Sequence, residues 1–187
     1  AIVLTASQPF TSALVMSNIK MFKYEWIWEK EQGTNQNLCK ISPLKKHENI
    51  LVFCNSKTIY NPQFTNGKPY IVKRNNKTEK DPIIGSNQKR VDTINEGKRF
   101  PVSIIKVNRE LKNRFHPTQK PVALFEYLIR TYTNECDTVL DNCAGSGTTG
   151  IAAWRQKRNA ILIEKDELYF NAAKERFYRE TRQVAMF

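Results

Sequence analysis

The sequence predicts an α/β fold, in which short apolar strands alternate with amphipathic helices. The first observation is a strand at 138–141 that leads through a glycine turn into a helix, and the second is an apolar strand at 160–163 that ends on Glu164. Apolar runs this short, bounded by turn residues, are typical of strands. The third observation is a pair of apolar stripes at helical spacing, over 122–132 and 166–180. We therefore expect a sheet packed against helices.

Five further elements are predicted in the rest of the chain. They are strands at 2–6, 23–30, 49–54 and 102–107, and a helix at about 11–18. The strand 23–30 alternates, with Tyr24, Trp26 and Trp28 on one face. For the two tryptophans we favour packing in the sheet over stacking on a nucleic-acid base.

The glycine turn is the most informative stretch of the sequence. Gly145 and Gly147 can adopt positive φ angles and let a ligand approach the backbone closely. The helix predicted at about 148–157 begins directly after them, and its first N–H groups point towards such a ligand. Glu164 ends the neighbouring strand, where a carboxylate can accept hydrogen bonds from both hydroxyls of a ribose. These features predict a nucleoside-binding half-site.

The identity of the nucleoside is open at this point. Gly145, Gly147 and Gly150 match the dinucleotide fingerprint G-x-G-x-x-G, and Glu164 follows at about the expected distance. Only 37 residues follow Gly150, which is enough for one more strand and a helix. Because a dinucleotide fold needs several further strands, an NAD-dependent Rossmann enzyme is kept as a remote alternative.

Two neighbouring stretches point to a different cofactor. HPTQKP occupies 116–121 before the glycine turn, ILIEKDELYF occupies 161–170 after it, and the chain opens with AIVLTASQPF. Together these segments resemble a DNA amino-methyltransferase of the β arrangement, in which the target-recognition segment precedes the S-adenosylmethionine site. The resemblance implies a Rossmann-like, S-adenosylmethionine-dependent methyltransferase sheet with helices on both faces. It also implies methylation of double-stranded DNA, with adenine N6 favoured over cytosine N4, as in phage or restriction–modification systems.

The HPTQKP loop and the glycine turn form the cofactor site that the resemblance implies. The loop precedes a helix, for which Thr118 is the predicted N-cap and Pro121 lies in the first turn. In the family this loop receives the methionine carboxylate, with Lys120 supplying charge. The residues implied to bind S-adenosylmethionine are His116, Thr118, Gln119, Lys120, Asp141, Asn142, Ala144, Gly145, Ser146, Gly147, Thr148 and Glu164. Asn142 and Cys143 depart from the family pattern, in which an apolar residue commonly precedes the glycines.

Residues 56–100 differ from the rest of the chain in composition. They contain ten Lys or Arg against four Asp or Glu, so they supply +6 of the net charge of +12. An irregularly spaced basic segment suits a surface that contacts DNA phosphates, and the resemblance implies that it is the target-recognition insertion. Residues 1–55 and 101–187 are then the methyltransferase domain. The candidate DNA-binding residues are Lys73, Arg74, Lys77, Lys89 and Arg90.

No catalytic residue is assigned within this sequence. The family's catalytic loop, Asp/Asn/Ser-Pro-Pro-Tyr/Phe, is absent, since no Pro-Pro pair occurs. In the family this loop holds the target amino group of a flipped base, and the strand before it lies between the strands 138–141 and 2–6. The chain opens at Ala1 in mid-strand, so we interpret it as a fragment without that central strand. Either residues upstream of Ala1 supply this strand, or a dimer partner or a complementing polypeptide fills the gap.

Several interpretations remain for the chain as a whole. The main alternative is a catalytically inactive module that binds the cofactor and DNA. His47 is a candidate for the edge of a target-base pocket, and the other interpretation is a polar residue at the start of a strand. The net charge of +12 indicates an acidic partner or a polyanion. No metal site and no membrane span are predicted, and we expect a cytoplasmic protein. Its four cysteines are expected to be buried or half-buried reduced thiols.

Overall fold

The described part of the chain forms two compact units. The computed structural model describes residues 1–73, 78–80, 87–89, 92–110, 116 and 118–182. The first unit comprises Ala1–Asn61 and Val102–Phe187, and the second comprises Pro62–Pro101. Among the described residues, no helix is both long and apolar enough to cross a membrane.

Strands and helices follow one another along the chain, with most of the short strands in the second unit. In order they are β1 (Ile2–Ala6), α1 (Phe10–Ser17), β2 (Phe22–Thr34), β3 (Lys45–Phe53), β4 (Thr65–Asn66), β5 (Tyr70–Val72), β6 (Thr78–Lys80), β7 (Asn87–Lys89), β8 (Thr93–Asn95), β9 (Lys98–Arg99), β10 (Ile104–Lys106), α2 (Val122–Tyr132), β11 (Thr138–Asp141), α3 (Thr148–Arg155), β12 (Asn159–Leu162) and α4 (Glu167–Arg182). A short 3-10 turn, Gln36–Leu38, follows β2.

Helices cover both faces of a four-stranded sheet in the first unit. Its order is β1-β3-β2-β10, and all neighbours are antiparallel except β10 and β2. The side chains of β3 alternate, so that Ile50 and Val52 pack with α2 whereas Leu51 and Phe53 pack with α1. All four are buried, and burying each contributes roughly 1.5–3 kcal/mol. The predicted α/β fold with helices on both faces is confirmed.

The tryptophans of β2 pack inside this sheet, as predicted. Trp26 and Trp28 are 4% and 1% exposed. The indole of Trp26 donates a hydrogen bond of 2.6 Å to the hydroxyl of Tyr132, and the indole of Trp28 donates one of 2.8 Å to the carbonyl of Val107. Each buried indole therefore keeps a polar partner. Tyr24, predicted on the same face, stays partly exposed and accepts a hydrogen bond from Tyr132 at 3.1 Å.

A separate, parallel two-stranded sheet is formed by β11 and β12. A Cβ on Gly150 of α3 would come within 2.6 Å of Leu162 Cδ1, so the absent side chain allows the helix to lie this close to β12. Within the described ranges, no strand is hydrogen-bonded to both sheets. β1 and β11 each pair with a single strand, and these are the two strands between which the sequence analysis expects another one.

The described residues of the second unit form a ladder of three short antiparallel pairs. β4 pairs with β9, β5 with β8, and β6 with β7. The pairs are nested in sequence, as in one long and irregular hairpin. At its base the N–H of Gly67 donates a hydrogen bond of 2.7 Å to the carbonyl of Gly97. The predicted role of this insertion in target recognition stays a prediction.

The prediction of buried or half-buried cysteines is wrong for three of the four. Cys39, Cys136 and Cys143 are exposed, and Cys54 is half-buried. Each exposed cysteine lies in a turn: Cys39 follows the 3-10 turn, Cys136 has a φ of 69°, and Cys143 precedes the glycine turn. Turns run over the surface, and this position overrides the tendency of cysteine to be buried.

Candidate functional site

The turn between β11 and α3 adopts a backbone conformation that its two glycines make possible. Gly145 has a φ of 51° and Gly147 a φ of 70°, and glycine enters this left-handed region without the penalty of a Cβ. A Cβ on Gly147 would also lie 3.1 Å from the Cβ of Ala173 on α4. The turn is therefore packed closely against α4. Because α3 begins at Thr148, the first N–H groups of the helix lie at this turn.

Glu164 lies beside the glycine turn and is held there by backbone groups. Its Oε2 accepts a hydrogen bond of 2.7 Å from the N–H of Gly145, and its Oε1 accepts one of 3.0 Å from the N–H of Asp166. The N–H groups of Asp166 and Gly145 hold the pKa of Glu164 below its usual value. The carboxylate is therefore ionised at neutral pH, and its remaining lone pairs can accept hydrogen bonds from hydroxyl groups.

The HPTQKP loop lies against the same turn. A Cβ on Gly145 would meet the ring of His116 at 3.5 Å, and this ring packs edge-on against Tyr169 of α4 with centroids 4.3 Å apart. The hydroxyl of Thr148 donates a hydrogen bond of 3.3 Å to the carbonyl of Lys120. The structure therefore brings the two predicted cofactor segments together with Glu164, although they lie far apart in sequence.

The prediction that Thr118 caps α2 is wrong. Pro121 occupies the N-cap position, and no side chain caps the helix from there. The hydroxyl of Thr118 instead lies 3.0 Å from His116 Nδ1. The N–H of Val122, the first residue of α2, donates a hydrogen bond of 2.7 Å to Glu110 Oε1. A carboxylate from the preceding segment thus satisfies this N–H, and its charge suits the positive end of the helix.

Lys120 is tied to the four-stranded sheet through Glu48 of β3. The Lys120 ammonium lies 3.1 Å from Glu48 Oε2, and that of Lys30 lies 2.7 Å from Glu48 Oε1. Burial opposes ionisation of Glu48, but its hydrogen bond to Lys30 and the charge of Lys120 leave the pKa of Glu48 below its usual value. One carboxylate faces two ammonium groups, so the cluster keeps one positive charge beside the loop. This net charge suits an anionic ligand group.

Asp141 fixes the chain where β11 enters the turn. Its Oδ1 accepts a hydrogen bond of 3.0 Å from the N–H of Cys143, and its Oδ2 accepts one from the hydroxyl of Thr149 on α3. Asn142 is exposed, whereas Ala144 and Ser146 are buried. Gln119 donates its N–H to the carbonyl of His116 at 3.1 Å, which closes the loop as a tight turn.

The remaining site predictions lie away from these contacts or outside the described residues. His47 is exposed on β3, opposite Glu29, and its placement at a target-base pocket stays a prediction. Lys73 is exposed. Lys89 belongs to β7. The other candidate DNA-binding residues, which lie outside the described residues, are Arg74, Lys77 and Arg90.

Four charged residues at this site were missed by the sequence analysis. Each reaches the site only through the tertiary fold, and they are Lys30, Glu48, Glu110 and Arg176. For Arg176 a signal was available, because it lies seven residues after Tyr169 on the predicted inward stripe of α4. A charged residue on such a stripe needs buried partners. Arg176 is indeed only 3% exposed.

The fold and this arrangement define an α/β domain of the Rossmann-like methyltransferase class. Residues 5–175 match the family model N6_N4_Mtase, described as DNA methylase. The chain therefore belongs to this family of DNA methylases. The resemblance drawn from HPTQKP and the glycine turn is confirmed.

Curated relatives match this chain over a limited stretch. M2.DpnII, a type II methyltransferase of Streptococcus pneumoniae, is 45% identical over 65 residues, which are 35% of this chain and 24% of the relative. M.HpaI, a type II methyltransferase of Haemophilus parainfluenzae, is 46% identical over 70 residues, which are 37% of this chain and 22% of the relative. The matched segment therefore spans about a quarter of the length of these relatives.

Solved structures match nearly the whole chain. The M1.HpyAVI–SAM complex superposes with a TM-score of 0.64 and 28% identity, covering 93% of this chain and 72% of that one. The PvuII DNA methyltransferase, described as cytosine-N4-specific, superposes with a TM-score of 0.61 over 97% of this chain and 68% of that one. Its identity of 17% makes this a likeness of fold alone.

Proposed function

We propose that residues 1–187 form the S-adenosylmethionine- and DNA-binding part of a cytoplasmic DNA amino-methyltransferase. The observation that carries this proposal is the contact between the HPTQKP loop and the glycine turn, with an ionised Glu164 beside them. Membership of the DNA methylase family and the likeness to the M1.HpyAVI–SAM complex support it. We take adenine N6 as the first acceptor to assay and cytosine N4 as the second.

The proposed cofactor has three polar parts, and the site offers a partner for each. Glu164 would accept the ribose hydroxyls, since each of its oxygens has one N–H partner and free lone pairs. The positive charge left on the Lys30, Glu48 and Lys120 cluster would attract the methionine carboxylate. The N–H groups at the start of α3 would face the part of the ligand that lies against the glycine turn. When bound, the cofactor supplies the methyl group, and these residues orient it.

We further propose that the second unit contacts the DNA. Lys73 is exposed, and Arg99 lies over the ring of Tyr70 with 4.7 Å between the guanidinium carbon and the ring centroid. Phe64 and Phe100 are 48% and 71% exposed, and their ring centroids lie 4.7 Å apart. Exposed aromatic rings beside basic groups suit a nucleic-acid surface, where the cations meet phosphates and rings can stack on bases.

A catalytically inactive binding module is the second candidate function. The 187 residues contain no Pro-Pro-aromatic loop, so by themselves they suit this candidate. Both candidates require the same cofactor site and the same DNA surface. Methyl transfer in the presence of an added segment that carries the Pro-Pro-aromatic loop therefore separates them from each other, and cofactor binding separates both of them from an NAD-dependent enzyme.

Calorimetric titration tests the proposed cofactor. The chain is expected to bind S-adenosylmethionine and not NAD. Glu164→Ala is expected to weaken binding by roughly 1–3 kcal/mol, because the ribose hydroxyls lose a charged acceptor. Glu175→Ala is the matched control, since Glu175 is an exposed glutamate on α4. Unchanged affinity in Glu164→Ala would remove this residue from the site, and preference for NAD would overturn the proposed function.

The pH dependence of that affinity follows from the ionised state of Glu164. Its pKa in the folded protein lies below the usual value. The contribution of Glu164 to binding is therefore complete at neutral pH and is lost as the pH falls through this lowered pKa. Glu164→Gln is expected to flatten this part of the profile.

We also propose that two copies of this chain associate through the sheet of β11 and β12. Leu140 and Ile161 are directly paired, and together with Ile163 they are 53–62% exposed. They alternate with Val139 and Leu162, which pack on the side of α3, so they share the opposite face. An apolar sheet face of this kind suits a further polypeptide.

Sedimentation velocity tests this association. The unmodified chain is expected to sediment faster than a monomer, and Leu140→Ser with Ile161→Ser is expected to restore the monomer. Ile41→Ser is the control, since Ile41 is 82% exposed outside this sheet. A monomeric unmodified chain would contradict self-association and favour a different complementing polypeptide.

A further inference from the structure

Among the described residues Arg176 is the buried arginine of the site, and the partners of its charge lie in separate elements. It lies on α4 and is 3% exposed. A guanidinium that is withdrawn from water loses favourable solvation, which charged or polar partners must replace. Its partners therefore indicate what the buried charge does in this fold.

One side of the guanidinium binds the glycine turn. Arg176 Nη1 donates hydrogen bonds to the carbonyl of Ser146 at 3.1 Å and to the hydroxyl of Thr148 at 3.0 Å. Ser146 lies between the two glycines that have positive φ angles. Its carbonyl belongs to the peptide that joins it to Gly147, so a hydrogen bond to this oxygen fixes the plane of a peptide that glycine would otherwise leave free to rotate.

The other side of the guanidinium reaches the start of α2. Arg176 Nη2 lies 3.4 Å from Glu110 Oε2. The second oxygen of that carboxylate accepts the N–H of Val122 at 2.7 Å. Arg176 is therefore linked through one carboxylate to the helix that directly follows the HPTQKP loop. Its Nε is held in turn by Glu180 at 2.9 Å, one helical turn further along α4.

The same face of α4 touches the site at two further points. Tyr169 packs against the ring of His116, and Ala173 lies behind Gly147. Tyr169, Ala173 and Arg176 follow one another at helical spacing. The inward face of α4 thus contacts both cofactor segments, and Arg176 binds the glycine turn directly and is linked through Glu110 to the start of α2.

We propose that Arg176 is a positioning residue, which holds the glycine turn and the start of α2 in the arrangement that receives the cofactor. The proposal rests on the proposed function for the cofactor itself. Arg176 acts through Ser146, Thr148 and Glu110 and does not contact the ligand. The planar fork of arginine is required, because it donates to several acceptors in fixed directions, which the single ammonium of lysine does not do.

The test compares Arg176→Ala with Arg179→Ala, which removes the same charge from an exposed position of the same helix. The affinity for S-adenosylmethionine is measured by calorimetry at a temperature where each variant is folded. Arg176→Ala is expected to bind on the order of tenfold more weakly, or weaker still, than the unmodified chain. Arg179→Ala is expected to bind like the unmodified chain. Millimolar guanidinium is expected to restore much of the affinity of Arg176→Ala by occupying the space of the lost side chain, and urea, which is similar in size but uncharged, is not.

Amide hydrogen exchange supplies a readout that needs no ligand. In Arg176→Ala the amides of Gly147 and Val122 are expected to exchange on the order of tenfold faster than in Arg179→Ala, because both depend on the network that Arg176 holds. If Arg176→Ala does not fold, Arg176→Lys takes its place. It keeps the charge and is expected to show the same changes to a smaller extent.

The outcomes separate this proposal from the proposed function. If the unmodified chain does not bind S-adenosylmethionine, the proposed cofactor fails, and exchange at Gly147 and Val122 still decides the role of Arg176. If Arg176→Ala only lowers the melting temperature and leaves both affinity and exchange unchanged, Arg176 stabilises the fold and positions nothing. Rescue by urea as effective as rescue by guanidinium would also overturn the proposal.

Discussion

Residues 1–187 alone are expected to bind S-adenosylmethionine and yet to transfer no methyl group to DNA. The cofactor segments come together in this chain, but its sequence contains no Pro-Pro-aromatic loop. In the family that loop holds the amino group of the flipped base. Binding the donor leaves the acceptor unoriented, and orientation contributes effective molarities on the order of 10⁵ M or more.

Transfer of tritiated methyl groups to unmethylated genomic DNA measures this effect. The chain is assayed alone and with an added segment that carries an Asp/Asn/Ser-Pro-Pro-Tyr/Phe loop, and products are separated into methylated adenine and methylated cytosine. Calorimetric binding of the cofactor by the same preparation shows that the chain is folded and loaded. Turnover by residues 1–187 alone would contradict the prediction, and it would mean that residues assigned here to structure activate the amine.

The half of the site that lies close together in sequence could be predicted from the sequence. β11, the glycine turn, α3 and Glu164 follow one another within 27 residues. Each is recognised by a local signal: a short apolar run, two glycines, a helical pattern and an acid at the end of a strand. In this stretch β11 has the predicted bounds and β12 is displaced by one residue, whereas α3 ends two residues before the predicted end because helix ends fray.

The residues that organise the site from a distance could not be predicted in the same way. Glu110 satisfies the first N–H of α2 in place of Thr118, and Glu48 pairs with Lys120. Both contacts depend on where separate elements meet, and no spacing in the sequence encodes them. Thr118 had the residue type and position of an N-cap, but Pro121, three residues later, occupies the N-cap position, and the hydroxyl of Thr118 lies out of reach.

DNA affinity is expected to fall steeply as salt rises, and the basic part of the second unit is expected to supply much of this dependence. Each phosphate that a cation neutralises contributes about 0.9 to the slope of log affinity against log salt. Replacing Lys73, Arg74 and Lys77 together with glutamine is therefore expected to reduce that slope by about 2.7. Equilibrium binding to a short duplex over a series of salt concentrations measures it.

A control of equal charge distinguishes phosphate contact from a general change in net charge. Lys20, Lys23 and Lys40 are exposed on the first unit, and their replacement with glutamine also removes three positive charges. Long-range attraction between exposed charges is screened within about 8 Å at physiological salt, so a charge that does not touch the DNA contributes little to the slope. The control is therefore expected to leave the slope nearly unchanged. Equal slopes for the two triple variants would contradict the proposed DNA surface. DNA binding would then depend on the net charge of the protein and not on where the positive charges lie.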